Sequence, residues 1–192
     1  MRTIGILVFD DVEELDFVGP LEVFGTAARF GGDCRTIVTA EFRSPVRCRN
    51  GLVVVPERTI DDVGRLDLLL VPGGLGARTH ARENARLLRF IRESQSIIAS
   101  VCTGALILGA AGVLEGRTVT THHGSRDALA QFAGVHVSDK RWIIDGQIAS
   151  SAGVSAGIDL ALALVAQWFG EPLAVQVADN MEWQSVAWRS GQ

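Results

Sequence analysis

The chain has 192 residues, which is long enough to bury a sizeable core, and residues 1–192 are predicted to form a single domain. Its 47% hydrophobic and 21% charged residues exclude intrinsic disorder, which requires few apolar side chains and a high net charge. The formal net charge of −4 argues against nucleic acid as a partner, because domains that grip phosphate backbones are usually basic.

The first half of the chain alternates between short apolar runs and longer helical stretches. Residues 3–9 form a continuous apolar run, which is typical of a strand covered on both faces. A helix is predicted over 19–30, with Pro20 near its first turn, where a missing N–H costs nothing. Further strands are predicted at 35–39, 52–55, 68–71 and 97–101, and further helices at 83–94 and 104–112.

The second half continues this pattern. Asp145-Gly146 is a strong hairpin signal between two apolar runs. Short strands are predicted at 118–121, 135–137, 142–144 and 147–150, and helices at 155–168 and 171–183. Strands that alternate with helices predict an α/β fold, a doubly wound and mostly parallel sheet of the flavodoxin-like type with helices on both faces.

No segment of the sequence has the character of a membrane-spanning helix. The most apolar run, 158–169, contains Asp159 and is shorter than the roughly 18 residues that a span needs, so it predicts a buried core helix. The first residues enter a strand-like run without the shape of a signal peptide. A cytoplasmic protein with no membrane partner is therefore expected.

Two segments follow strand ends, where open α/β sheets bind their ligands. Residues 100–105 run from a strand through Cys102 into small residues that open a helix. This is the arrangement of a nucleophile elbow, best known for serine in Gly-x-Ser-x-Gly. The amides after Cys102, with those of Gly73 and Gly74 in the segment 71–76, predict an oxyanion hole.

The position of Cys102 predicts a reactive thiol. The positive end of a helix dipole lowers the pKa of a cysteine placed there. The alternative is a small buried hydrophobe, which is the usual role of a free cysteine and the interpretation favoured for Cys34 and Cys48. A disulfide framework is not expected with three cysteines in an intracellular domain, although a Cys34–Cys48 bridge stays open.

Asp16 lies between the first predicted strand and the first predicted helix. One interpretation is a helix-capping carboxylate that accepts backbone N–H bonds. The other is a carboxyl held against the Cys102 thiol, in which case the two groups share protons and titrate as a pair.

The adjacent His122 and His123 suggest a metal site or a catalytic triad. Neighbouring residues in an extended segment point to opposite sides, so at most one of the two histidines is expected to serve a given site. No further His or Cys stands at zinc-like spacing, and no metal site is predicted. The favoured interpretation of His122 is a hydrogen-bonded structural histidine.

Several motifs of the sequence resemble the DJ-1/PfpI superfamily, whose fold is like that of class I glutamine amidotransferases. These motifs are FDDVEELDFVGPLEVF near the start, VPGG, SVCTGALILGAAGVLEGRTVTTH and GVSAGIDLALALVAQ. The resemblance covers about residues 4–183. Within the superfamily, the motifs are equally similar to isonitrile hydratases and to the sensor domains of AraC-type regulators.

The resemblance implies roles for individual residues. Cys102 matches the family nucleophile, and Asp16 matches the acidic residue beside it. Thr103 matches the threonine that follows the cysteine in the hydratases; the protease-like branch has histidine there, which argues against peptidase activity. The resemblance also implies a place for His122 at the pocket rim.

The leading functional hypothesis implied by the resemblance is an isonitrile hydratase-like lyase. Such an enzyme converts a small isonitrile and water to an N-substituted formamide through a Cys102 thioimidate, with Asp16 as general acid/base and neither metal nor organic cofactor. One alternative is a non-catalytic sensor domain; no basic helix-turn-helix follows within the sequence, which favours the enzyme if the chain is a whole gene product. A redox-sensing or chaperone-like role is the third.

The resemblance also implies a homodimer. The apolar residues near Asp16 are the candidates for a surface shared with the second copy: Phe17, Val18, Leu21 and Phe24.

Overall fold

The apolar runs of the sequence form the centre of the structure, a computed structural model that describes residues 1–191. The strands in chain order are β1 (Arg2–Leu7), β2 (Cys34–Ala40), β3 (Val46–Arg47), β4 (Val53–Val54), β5 (Arg58–Thr59), β6 (Leu68–Val71), β7 (Ile97–Val101), β8 (Thr118–Val119), β9 (His136–Val137), β10 (Trp142–Asp145) and β11 (Ile148–Ser151). The α-helices are α1 (Glu14–Arg29), α2 (Leu75–Arg78), α3 (Ala85–Glu93), α4 (Gly104–Ala111), α5 (Arg126–Leu129), α6 (Ala156–Phe169) and α7 (Glu171–Asn180). Short 3-10 helices span Ala81–Glu83, His123–Ser125 and Ala187–Arg189.

Seven strands form one sheet in the order β10-β11-β7-β6-β1-β2-β5. All neighbouring pairs are parallel except β10 and β11, which form the hairpin predicted from Asp145-Gly146. Gly146 has a φ of +64°, a conformation that glycine adopts without steric cost. Two small sheets, antiparallel β3–β4 and parallel β8–β9, lie outside the main sheet.

The core lies between the main sheet and two groups of helices. The central strand β6 is buried along its whole length, and β1 is buried beyond its first residue. Helix α1 packs with α6 and α7, and α4 packs with α2, α3 and α5. These layers confirm the predicted doubly wound α/β fold with a mostly parallel sheet.

Helix α1 begins at Glu14, so the prediction of a start at Gly19 is wrong. Proline is accommodated most easily in a first turn, which is why the sequence favours a start near Pro20. In the structure Pro20 lies inside the helix, where its missing N–H removes the i→i−4 hydrogen bond to the carbonyl of Asp16. The earlier start brings Asp16 into the first helical turn.

The predicted strand 52–55 is wrong in extent and position. Only β4 is extended there, and it pairs with β3 away from the main sheet. The apolar side chains of Leu52, Val53 and Val55 are consequently exposed by 47%, 49% and 68%.

Helix α6 is the buried core helix that the most apolar run predicts. Its buried Asp159 accepts hydrogen bonds from Arg141 Nε at 2.6 Å and from Trp183 Nε1 at 3.0 Å. These bonds satisfy a charge that would otherwise be costly to bury. Across residues 1–191, no helix combines the length and the apolar character needed to cross a membrane.

Candidate active site

The carboxyl ends of adjacent strands bring the predicted site residues together. Asp16 follows β1, Gly73 follows β6 and Cys102 follows β7. These strands are neighbours in the sheet, and the chain leaves β1 for β2 on one side before it returns to β6 on the other. Connections that diverge in this way open a crevice at the carboxyl edge, which is where α/β proteins bind ligands.

Cys102 occupies the tight turn between β7 and α4. Its φ of +57° lies in the left-handed region, a strain that costs a non-glycine residue about 1–3 kcal/mol. The Cys102 N–H donates to the Ser151 carbonyl at 3.1 Å, and the Thr121 hydroxyl donates to the Cys102 carbonyl at 2.7 Å. Gly104 follows because a Cβ there would lie 2.1 Å from the carbonyl oxygen of Val71. This geometry agrees with the predicted elbow.

Asp16 is fully buried beside this turn, with 0% of its surface exposed. Its Oδ2 accepts a hydrogen bond from the Gly73 N–H at 2.9 Å, and α1 has no side-chain cap, so the helix-capping interpretation is wrong. Its Oδ1 is also buried, and the Cys102 thiol is a further hydrogen-bond donor to the carboxylate besides the Gly73 N–H. Burial outweighs the Gly73 hydrogen bond and raises the pKa of Asp16 to about 7.

The Cys102 thiol is 7% exposed, and its pKa is raised to about 12. The prediction of a depressed pKa is therefore wrong. Burial of the sulfur is the largest cause, and the negative charge of Asp16 adds to it. The N–H groups of Thr103 and Val154 favour the thiolate without compensating for these two effects. The helix-dipole argument fails because it neglects the desolvation of the sulfur.

Cys102 and Asp16 titrate as a pair, since each group shifts the pKa of the other. With pKa values of about 7 and about 12, the pair loses one proton near pH 7 and keeps the second until far higher pH. Between these values it holds one proton and one negative charge. Transfer of that proton from sulfur to the Asp16 carboxylate produces a thiolate while the proton stays inside the site.

The amides of Gly73 and Gly74, predicted to contribute to an oxyanion hole, both have partners within the protein in this structure. The Gly73 N–H donates to Asp16, and the Gly74 N–H donates to the Thr103 hydroxyl at 2.9 Å. The Thr103 hydroxyl also donates to the Gly74 carbonyl at 3.2 Å. Thr103 therefore ties the start of α4 to the loop after β6, and its hydroxyl is not free to orient Asp16 or a water molecule.

Replacing Gly73 by alanine is expected to destabilise the protein and to disturb the pair. A Cβ at Gly73 would lie 2.5 Å from the Thr103 nitrogen and 2.8 Å from Asp16 Oδ2. Overpacking of this kind costs about 1–3 kcal/mol in the free energy of unfolding, measurable by urea denaturation. Gly25→Ala in α1 is the matched control, because its Cβ meets nothing within 4 Å. Equal effects of the two substitutions would contradict this account.

His122 lies at the cavity beside Cys102, and its Nδ1 accepts a hydrogen bond from the Gly124 N–H at 3.2 Å. The prediction that His122 and His123 point to opposite sides is wrong: their ring centroids are 4.2 Å apart. The segment bends into a 3-10 helix at His123, so the alternation of an extended strand does not apply. Burial and the adjacent His123 lower the pKa of His122, and Gly153 packs against its ring.

A cavity of about 130 Å³ opens at the Cys102 thiol. The residues that line it come from several strand ends and are Glu13, Arg49, Gly74, Arg78, Cys102, His122 and Val154. The sequence does not mark Glu13, Arg49, Arg78 and Val154 as site residues. Val154 carries a detectable structural signal, a φ of +48°, which is rare for a β-branched residue and concentrates at functional sites.

The remaining cysteines lie away from this cavity. Cys34 and Cys48 are buried free thiols, and burial is the largest cause of their raised pKa values, with that of Cys48 reaching about 11. This agrees with their interpretation as small buried hydrophobes. No three His, Cys, Asp or Glu side chains within the described part of the chain are grouped to hold a metal ion.

Fold and site define an α/β protein with a cysteine on a strained turn at the carboxyl edge of a parallel sheet. Residues 2–167 match the DJ-1/PfpI family, and the chain belongs to this family.

Three relatives illustrate the range of the family. An isonitrile hydratase of Pseudomonas putida is 36% identical over 183 residues, which are 94% of this chain and 78% of that protein. The transcriptional regulator CdhR of Pseudomonas aeruginosa is 34% identical over 171 residues, which are 86% of this chain but 50% of the regulator. The crystal structure of a ThiJ/PfpI family protein from Pseudomonas syringae is 34% identical, with a TM-score of 0.89 over 96% of this chain and 76% of that one.

Proposed function

We propose that this protein is a cysteine-dependent enzyme that hydrates small isonitriles to N-substituted formamides. The observation that carries the proposal is the buried Asp16 carboxyl beside the Cys102 thiol, where the pKa of Asp16 is raised to about 7. A carboxyl that titrates near neutral pH both donates and accepts protons efficiently. The 36% identity to an isonitrile hydratase over 94% of the chain supports the choice of reaction.

The first half of the reaction forms a thioimidate. The Cys102 proton passes to Asp16 while the sulfur attacks the terminal carbon of R–N≡C, so that a C–S bond forms and a carbon–nitrogen π bond breaks. The electron pair left on that carbon takes the proton from Asp16, which gives R–N=CH–S–Cys102 and a carboxylate. The N–H groups of Thr103 and Val154 stabilise the sulfur while it carries negative charge.

The second half of the reaction uses water and restores the thiol. The Asp16 carboxylate removes a proton from a water molecule that attacks the thioimidate carbon, and it delivers this proton to the nitrogen. The C–S bond of the resulting R–NH–CH(OH)–S–Cys102 then breaks, and the hydroxyl proton returns through Asp16 to sulfur. The product is R–NH–CHO, so one water is consumed and every proton is accounted for.

Rapid acid quenching of the protein with an excess of isonitrile tests this route. The expected result is a protein whose mass increases by that of one whole isonitrile molecule, with the addition mapped to the peptide that contains Cys102. An addition confined to Cys34 or Cys48 would contradict the assignment of the nucleophile.

A second candidate is a non-catalytic sensor domain. It is supported by the 34% identity to the regulator CdhR, of which the chain covers about half. A sensor would bind a small molecule in the Cys102 cavity and return it unchanged. Ligand protection of Cys102 from alkylation, with no formamide formed from any isonitrile, would favour this candidate over the enzyme.

We also propose a homodimer, with the surface of α1 and the β3–β4 hairpin as its interface. The predicted contact residues Phe17 and Phe24 are buried in the core and are not available. Val18 on α1 and Val55 after the hairpin are exposed by 37% and 68%. Covering these apolar surfaces with a second copy would stabilise the dimer. Light scattering at micromolar concentration is expected to give twice the chain mass, and a monomer would contradict the proposal.

A further inference from the structure

The mouth of the Cys102 cavity carries an unbalanced positive charge. Arg49 and Arg78 line it together with a single acidic side chain, Glu13. Glu13 is paired with Arg49, whose Nε lies 3.8 Å from its carboxylate, and it also accepts a hydrogen bond from Asn50. Arg78 is left as the cation whose charge is not offset at the rim.

Arg78 has no ion-pair partner among residues 1–191. It is the last residue of α2, and its side chain is exposed at the cavity. Its charge acts on the site, because it helps to lower the pKa of His122, which also lines the cavity. The chain as a whole has a formal net charge of −4, so this positive mouth is a local feature.

The size of the cavity limits what can lie between Arg78 and the thiol. At about 130 Å³ it is far smaller than the roughly 300–1,000 Å³ of pockets that take drug-sized ligands. A molecule that reaches both Cys102 and Arg78 must be short. The guanidinium group presents a planar fork of donors that matches a carboxylate.

We propose that the cavity selects a short anionic substrate, with Arg78 as the residue that binds its carboxylate. Since this rests on the proposed hydration, the substrate class is an isonitrile that bears a carboxylate one or two carbons from its nitrogen. The reactive carbon meets Cys102 at the inner end, and the carboxylate meets Arg78 at the mouth. Glu13, which is paired with Arg49, is the one carboxylate in the described lining, and Asp16 is buried behind the Cys102 thiol.

Alkylation of Cys102 tests the charge selection without any turnover. Iodoacetate is an anion and iodoacetamide is its neutral counterpart, and both report on the same thiol, so the thiolate fraction cancels in the ratio of their rates. Arg78→Gln is expected to lower the rate with iodoacetate about fivefold to tenfold, the effect of one nearby charge, and the rate with iodoacetamide far less. Arg65→Gln is the matched control, because Arg65 is exposed before β6, at the opposite end of the strand.

Turnover provides the second comparison. Wild-type protein is expected to hydrate isocyanoacetate with a kcat/KM about tenfold above that of its neutral methyl ester, and Arg78→Gln is expected to remove this preference. If no isonitrile reacts but Arg78→Gln slows only iodoacetate, the proposed hydration fails and the anion selectivity stands. If Arg78→Gln and Arg65→Gln have equal effects on the ratio of the two alkylation rates, the inference is overturned, whether or not hydration occurs.

Discussion

Cys102→Ala is expected to reduce isonitrile hydration to the uncatalysed rate. Within the described site, the Cys102 sulfur is the one soft nucleophile at the cavity, and without it no thioimidate forms. Alanine fills almost the same volume at this 7% exposed position, so the fold is expected to persist. Formamide production, followed by chromatography at matched protein concentration, measures the effect.

The control for this prediction is Cys34→Ala. Cys34 is also a buried free thiol, and its Sγ lies 3.7 Å from the Phe24 carbonyl. It is the first residue of β2, whereas Cys102 follows the carboxyl end of β7. Its substitution removes a thiol without touching the cavity, and turnover by the folded protein should be retained. Equal losses in the two variants would mean that the activity is lost through folding and not through the nucleophile.

Asp16→Asn is expected to lower turnover by roughly 10²–10⁴-fold, the usual contribution of a positioned acid/base group. An amide keeps the shape of the side chain and an oxygen for the Gly73 N–H, but it neither accepts the Cys102 proton nor delivers one to the isonitrile carbon. Turnover close to that of the wild type would show that another group moves these protons.

Alkylation of Cys102 by iodoacetamide should respond to Asp16→Asn in the opposite direction. The Asp16 charge is one of the causes that raise the pKa of Cys102, so its removal increases the thiolate fraction at pH 8. Faster alkylation together with slower hydration is the signature of a proton carrier. A purely structural role for Asp16 would move both rates down.

The same variant should be more stable than the wild type at alkaline pH. Asp16 titrates at about 7 in the folded protein against an ordinary value of 3.8, so the folded state loses stability as the pH rises from about 4 to about 7. Asp16→Asn removes that penalty, and urea denaturation at pH 8 should show a gain on the order of 2–4 kcal/mol. Below pH 4 the gain should vanish, because both side chains are then neutral.

The fold and the centre of the site follow from local sequence patterns. The strand of residues 68–71 matches its prediction because an isolated apolar run between turn residues has few alternatives. Cys102 and Asp16 meet because each follows a strand that is a neighbour, or nearly so, in a parallel sheet, where the carboxyl ends share an edge. The prediction of a strand at 52–55 is wrong because these apolar residues belong to the surface of a hairpin outside the main sheet.

The electrostatics of the site cannot be read from the sequence. The direction of the Cys102 pKa shift depends on how deeply the sulfur is buried and on its approach to Asp16, which are tertiary quantities. Arg49 and Arg78 are ordinary surface arginines by sequence, and only the folded loops bring them to one cavity. The Gly73 and Gly74 N–H groups likewise donate hydrogen bonds to the side chains of Asp16 and Thr103, which lie in elements distant in the chain.

The most direct test of the account is the exposure of the wild-type protein, without added cofactor, to a panel of isonitriles that includes isocyanoacetate, its methyl ester and cyclohexyl isonitrile. Infrared spectroscopy follows the loss of the isonitrile stretch, and chromatography follows the matching formamide. The account predicts catalytic consumption of at least the short isonitriles, with one formamide formed for each isonitrile lost. Isonitriles that remain intact across the whole panel, in the presence of folded protein whose Cys102 is reduced, would contradict it.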